Sequence, residues 1–278
     1  MTPRPEIEEY QTRFVNNVAR VIGANFLRRR PTVRVLDMGC DCSGRQLAVI
    51  SQLVRGEVVG INIPEGFPLP EAVVTAGERV RLLRMDGMQL EFPDASFDVV
   101  ISANVIEHVP NVARFVAEAA RVLKPDGICY METAPIWSSA RGHHLMESMV
   151  AENIPEETRY RDDGSIIPDW GHLSLSREQM ADAIGNKVLD KTREYLLWYL
   201  YDSNDLNRTP WSGVCEAFHT AFPTVQLMPR PLPMVDTALI PDDSREDYSV
   251  YGFTAIARKQ PQSWLAKRLY WRLRRVGL

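Results

Sequence analysis

The chain has no apolar run approaching the ~20 residues that a membrane-crossing helix needs. Its first residues, MTPRPEIEEYQ, are polar and acidic and do not read as a secretory signal. Cysteine is scarce: Cys40, Cys42, Cys129 and Cys215 are the four in 278 residues. They do not make a disulfide framework in a chain this long, and Cys40-x-Cys42 lacks the paired second half of a zinc site. Reduced thiols and a cytoplasmic location are the expectation. Excess positive charge is missing too, with 32 basic against 36 acidic residues and a net charge of −4. That balance speaks against a general nucleic-acid surface, so no nucleic-acid partner is expected. Internal repeats and low-complexity tracts are absent. What is present is a globular composition, 45% hydrophobic and 24% charged, able to bury a core.

Residues 1–29 read as a helical lead-in. From residue 30 strands and helices alternate. TVRVLDMG, EVVGINI, RVRLLRMDG, FDVVISANV and ICYMETA are short apolar strands. RQLAVISQLVRG is a helix ending at Gly56, and NVARFVAEAARVLKPDG an amphipathic helix expected to stop at Pro125 and Gly127. Such alternation implies right-handed crossovers and a parallel sheet. The rhythm breaks at residues 136–222, an irregular stretch followed by helices that reads as an insertion on the acceptor side. Ser176 is a plausible cap for the helix SREQMADAIGN. TVQLMPRPLP and YSVYGFTAIARK close the domain, near residue 260, as an edge pair of strands.

Ligands of an open parallel sheet sit at the C-terminal tips of its strands. Asp37 and Gly39, Asn62, Asp86 and Asn104 fall there. The first turn, GCDCSG, holds Asp41 and Ser43 where a dinucleotide loop usually carries glycine. A carboxylate there repels a pyrophosphate, so Asp41 counts against NAD or FAD. A ligand carrying a sulfonium and an ammonium, such as S-adenosylmethionine, is favoured instead. Asp also tolerates left-handed backbone, which lets it replace a turn glycine.

VLDMGCDCSG, VVGINIPEG, RMDGMQLEFPDASFDVVISANVIEHVPN and EAARVLKPDGICYMETA together resemble class I S-adenosylmethionine-dependent methyltransferases, type 11-like. The resemblance spans roughly residues 30–135. It implies an α/β, Rossmann-like, doubly wound and mostly parallel seven-stranded sheet with S-adenosylmethionine as cofactor. It also implies roles. Asp37, Gly39, Asp41 and Gly44 would line the methionine end, and Asn104 would contact it. Asp86, with Gly87 and Met88 beside the ring, would take the adenine amino group. Asn62 stands where the family usually has an acid on the ribose hydroxyls, an exchange worth ~1–2 kcal/mol. Glu65 is a substitute for that acid.

Methyl transfer to oxygen needs alignment and a general base, the latter contributing about 10²–10⁴-fold. RGHHL and PDWGHL place His143, His144 and His172 in the irregular segment, as candidate bases or as pins of a long lid. His108, in VIEHVP, reads as an orienting or packing residue, and His219 as packed or exposed. The His pair with Glu147 or Asp169 fits no standard zinc pattern, so no metal is expected. The acceptor expected is a sugar, glycan or other small metabolite. A ligand-binding domain without transfer activity, or another enzyme type on this fold, remains open.

Residues 261–278 carry five basic residues and no acid. On a helical wheel Leu265, Leu269, Leu273 and Val276 share one arc. This amphipathic tail suits an anionic membrane surface, or equally a terminal helix packed on the domain.

Overall fold

The computed structural model describes residues 5–26, 32–145, 166–231 and 245–260. Helix α1 (Pro5–Asn25) leads into β1 (Val35–Met38), α2 (Arg45–Val54), β2 (Val58–Asn62), α3 (Pro70–Ala76), β3 (Val80–Arg84) and β4 (Phe97–Ala103). A 3-10 turn (Ile106–His108), α4 (Val112–Val122) and β5 (Leu123–Thr133) follow. Then come α5 (Gly171–Ser174), α6 (Arg177–Ile184), α7 (Asp190–Tyr201), α8 (Trp211–Ala221), β6 (Thr224–Pro231), α9 (Arg245–Tyr248) and β7 (Val250–Arg258).

The seven strands lie in the order β3-β2-β1-β4-β5-β7-β6. β1 pairs in parallel with both β2 and β4, so the winding reverses between β1 and β4. β7 enters antiparallel between β5 and β6. All four residues of β1 are buried, as is nearly all of β4, because helices cover both faces. On one face Phe14, Val18 and Ile22 of α1 meet Leu47 and Ile50 of α2. On the other, Phe115 and Val116 of α4 meet Trp211 and Phe218 of α8. The parallel pairing expected from the alternation, and the seven-stranded doubly wound sheet that the family resemblance implied, are both observed.

Two local outcomes differ from the sequence reading. α4 ends at Val122, and Leu123 is already extended at φ −73°, ψ 135°. Lys124 precedes Pro125, and a residue before proline is pushed out of the helical region. The expected helix end, Pro125 and Gly127, is therefore taken into β5, where the pairing with β4 shifts register between Phe97 and Val99. The inserted 136–222 segment also divides. Residues around α6 and α7 form their own small core, with Leu145, Ile167, Met180, Ile184, Leu196 and Leu200. α8 belongs instead to the main core. Ser176 caps α6 through a reciprocal box with Gln179, as its sequence position suggested.

Among the described residues no helix is long and apolar enough to cross a membrane. The basic tail and Glu147 lie outside the described residues.

Phe218 is 0% exposed and touches both Phe222 and Phe253, with ring centroids 6.4 and 5.9 Å away. Phe218→Ala should lower unfolding free energy by about 3–5 kcal/mol, read from urea denaturation of both proteins.

Candidate functional site

Two adjoining cavities, about 260 and 290 Å³, open at the strand tips where the winding reverses. Gly39, Asn62 and Asn104 line both, which makes them two halves of one cleft. Gly39 sits at φ +84°, and a Cβ there would stand 2.3 Å from Val105 Cγ2. Only glycine turns the chain at this point. Asn104 is also left-handed, at φ 51°, with its N–H donating to the Glu132 carbonyl at 2.9 Å.

The first half is lined by Asp37, Cys40, Asp41, Cys42, Gln46 and Ala103 besides the shared three. Asp41 closes its own turn. Its Oδ1 accepts the Ser43 N–H at 2.8 Å and the Ser43 hydroxyl. That explains Ser43, whose Oγ also accepts the Arg45 N–H at 3.3 Å at the start of α2. The other oxygen, Asp41 Oδ2, is buried without a hydrogen-bond partner. Burial raises the Asp37 carboxyl well above the ordinary carboxylate range, and the charge of Asp41 adds to the rise. Gly44 does not line the cleft. It caps α2 at φ +69°, where a Cβ would stand 2.7 Å from the Ala72 carbonyl oxygen, so its role is packing of α2 on α3.

The second half is lined by Ile61, Ile63, Met85, Asp86, Gly87, Met88, Val105, His108, Val109, Pro110 and Phe115. Asp86 is exposed, and its Oδ1 accepts the Met88 N–H at 2.8 Å. A Cβ on Gly87 would meet Phe115 at 2.5 Å, so this backbone approaches the ring as only glycine allows. Asn62 has a local task that an acid would not perform. Its Nδ2 donates to the Cys40 carbonyl at 2.7 Å and its Oδ1 accepts the Ile63 N–H at 2.8 Å. Glu65 is exposed and lines neither half.

Among the described residues neither half is lined by lysine or arginine. A pyrophosphate finds no counter-charge here. A ligand with a sulfonium and an ammonium finds three carboxylates, one with an oxygen still unpaired. Its own carboxylate can meet the first turn of α2, where Gln46 lines the wall. An aromatic base fits the apolar second half. The residues present therefore fit S-adenosylmethionine.

The family model of the methyltransferase domain matches residues 36–131. Residues 36–131 are a class I methyltransferase domain. A sterol 24-C-methyltransferase of Gibberella zeae is 32% identical over 104 residues, 36% of this chain and 27% of that enzyme. A sterol 24-C-methyltransferase of Aspergillus fumigatus is 31% identical over 71% of this chain and 56% of its own length. A probable S-adenosylmethionine-dependent methyltransferase of Mycobacterium tuberculosis is 36% identical over 38% of each chain. The chain thus spans between about a quarter and little more than half of the length of these relatives. The crystal structure of geranyl diphosphate C-methyltransferase from Streptomyces coelicolor superposes with a TM-score of 0.50. It covers 90% of this chain and 80% of that one, at 12% identity, and so supports the fold.

Beyond the matched residues, the three histidines singled out as bases lie behind the cleft, not in its lining. His143, His144 and His172 are 1%, 8% and 6% exposed. His144 Nε2 donates to the Pro135 carbonyl and His172 Nε2 to the Trp137 carbonyl, both at 2.8 Å. His143 Nδ1 accepts the Leu145 N–H at 3.0 Å. Burial holds all three below the usual imidazole range, His144 at about 3 and His172 at about 4. Neutral and engaged with backbone, they pin the segment that follows β5. His143 stacks against His172 with centroids 5.3 Å apart, while His144 turns away to His108 at 5.5 Å. Asp169, weighed beside the His pair and found to fit no zinc pattern, pairs with Arg141 at 3.2 Å. His108 is the histidine that reaches the cleft, a role its position directly after β4 could have signalled.

Because folded His172 resists protonation until about pH 4, the unfolded chain takes the proton first, near pH 6.5. Stability should be fullest above pH 6.5 and fall as pH drops toward 4. His172→Gln should recover about 2 kcal/mol of that loss at pH 4.5 relative to pH 7, compared by urea midpoints.

Proposed function

We propose that this chain transfers the methyl group of S-adenosylmethionine to a small-molecule acceptor. The observation that carries the reading is the cation-free, carboxylate-walled first half of the cleft, where Asp41 Oδ2 is buried and unpaired beside Asp37. An ammonium supplies the missing charge. Asp86, with one oxygen fixed on Met88, presents the other to an adenine amino group. Ile63, Met88 and Val109 supply apolar surface for the ring. Asn62 keeps the first loop against the second strand, its Nδ2 donating to the Cys40 carbonyl at 2.7 Å and to Cys42 Sγ at 3.9 Å. When bound, the cofactor supplies an electrophilic methyl group on sulfur. The protein's task is then alignment of the acceptor and exclusion of water.

An oxygen of a sugar, glycan or other small metabolite remains our reading of the acceptor. Carbon is the second reading, favoured by the similarity to sterol 24-C-methyltransferases. The imidazole that lines the cleft is that of His108, whose Nδ1–H donates to the Asp205 carbonyl at 2.9 Å. The buried histidines are left as positioning residues.

Asp41→Asn keeps an oxygen for Ser43 but removes a charge. Free protein should become more stable by about 1 kcal/mol, while affinity for S-adenosylmethionine should fall about five- to tenfold. Thermal unfolding and calorimetry measure the two effects. No heat with millimolar S-adenosylmethionine, together with uptake of NAD, would overturn the proposal.

A further inference from the structure

We propose that Glu132 and Arg230 form a subsite for a neutral, hydroxyl-bearing ligand on the β5 side of the cofactor cleft. Each carries a buried polar atom with no hydrogen-bond partner, Glu132 Oε1 and Arg230 Nε. Glu132 as a whole is only 3% exposed. Buried polar atoms are nearly always paired, so an open carboxylate oxygen and an open guanidinium N–H mark a missing partner.

The sheet brings the two residues together. Tyr130 and Glu132 alternate onto one face of β5, where the Tyr130 ring meets Phe14 of α1 at a centroid distance of 6.0 Å. The Tyr130 hydroxyl donates to Glu132 Oε2 at 2.6 Å, which orients the carboxylate and leaves Oε1 as its open atom. Arg230 reaches the end of β5 from β6. Its register partner on the intervening β7 is Gly252, which has no side chain to block the path. The guanidinium crosses β7, and Nη2 donates to the carbonyl of Thr133, the residue after Glu132, at 3.1 Å. The Tyr130 phenol feels both charges. Burial and the Glu132 carboxylate raise it, and Arg230 opposes the rise. Glu132 and Arg230 are therefore electrostatic neighbours, yet neither open atom bonds the other.

Charge is balanced at this point, and hydrogen bonding is not. A carboxylate oxygen accepts and Nε–H donates. A ligand must bring a donor to the first and an acceptor to the second. A hydroxyl does both, and adjacent hydroxyls can serve one atom each. Being uncharged, it enters without the desolvation cost that an ammonium and a carboxylate would carry into a buried site. Its bond to an ionised carboxylate is charge-assisted.

Glu132 stands in register with Ala103 of β4, and Ala103 and Asn104 line the first half of the cleft. The Asn104 N–H donates to the Glu132 carbonyl at 2.9 Å. The subsite thus adjoins the carboxylate-walled half, on the side away from Asp86 and the apolar half. Its role as the seat of the methyl acceptor rests on the methyl-transfer reading. Binding of a hydroxyl-bearing ligand stands on these residues alone.

The test uses the full chain with and without S-adenosylhomocysteine, and glycerol, myo-inositol and methyl α-D-glucopyranoside as probes. Saturation-transfer NMR should show saturable contact with at least one of them. Glu132→Gln exchanges a charge-assisted bond for a neutral one, and Arg230→Lys keeps the charge but removes Nε–H. Each should weaken that contact about five- to tenfold. Circular dichroism confirms that both variants are folded, and their affinity for S-adenosylhomocysteine should match that of the parent. No saturable contact with any probe at molar concentration, contact unaltered in both folded variants, or a preference for ethanolamine over glycerol would overturn the subsite. Calorimetry with S-adenosylhomocysteine is read separately, so a failure of the methyl-transfer reading would appear there and not in the polyol contact of the cofactor-free protein.

Discussion

The carboxylates of Asp37 and Asp41 repel each other at the tip of β1, and the organisation of the cleft follows from that. Asp37 is held there by the sheet, since β1 is buried on both faces and its neighbours β2 and β4 leave it no freedom. Asp41 is held by its bonds to Ser43. Neither can retreat to water without undoing the turn that starts α2. Burial and the neighbouring Asp41 charge raise the Asp37 carboxyl, so a positive ligand beside the pair is favoured. Among the described residues no lysine or arginine lines the cleft, in keeping with that preference.

Glycine and asparagine adapt the backbone around this charge pair. Gly39 lets β1 turn under Val105, and Gly87 lets the third loop lie against Phe115. Asn62 stitches the first loop to the end of β2. An acid at position 62 would face the Cys40 carbonyl with a second negative group. The amide is therefore understandable as a structural choice, made at some cost to the grip on a ribose.

The histidines divide into two functional layers. His143 and His172 are locked to backbone groups inside the segment after β5, where low solvation keeps them neutral. They hold the chain that frames the acceptor side. His108 and His144 meet at the boundary between this segment and the cleft, beside Glu107. At this boundary His108 is exposed, while its neighbours Glu107 and His144 are buried.

By itself the sequence determined the doubly wound sheet, the strand tips as the site, and the preference for a cationic ligand. Those are local matters: apolar runs, turn residues and the charge at Asp41 act within a few residues of each other. Even there, Pro125 overrode the helical pattern of α4, because its effect on Lys124 is steric and immediate. Gly44, grouped with the cleft by its place in the motif, proved to serve helix packing. What only the tertiary structure decided is which of the histidines meet, and which of them reaches the cleft. Neighbours in sequence, His143 and His144 point to different partners because His144 takes a left-handed backbone. His108 and His144 are 36 residues apart, and their meeting depends on how the chain after β5 folds back over the strand tips. Long-range packing, not spacing along the chain, sets that geometry.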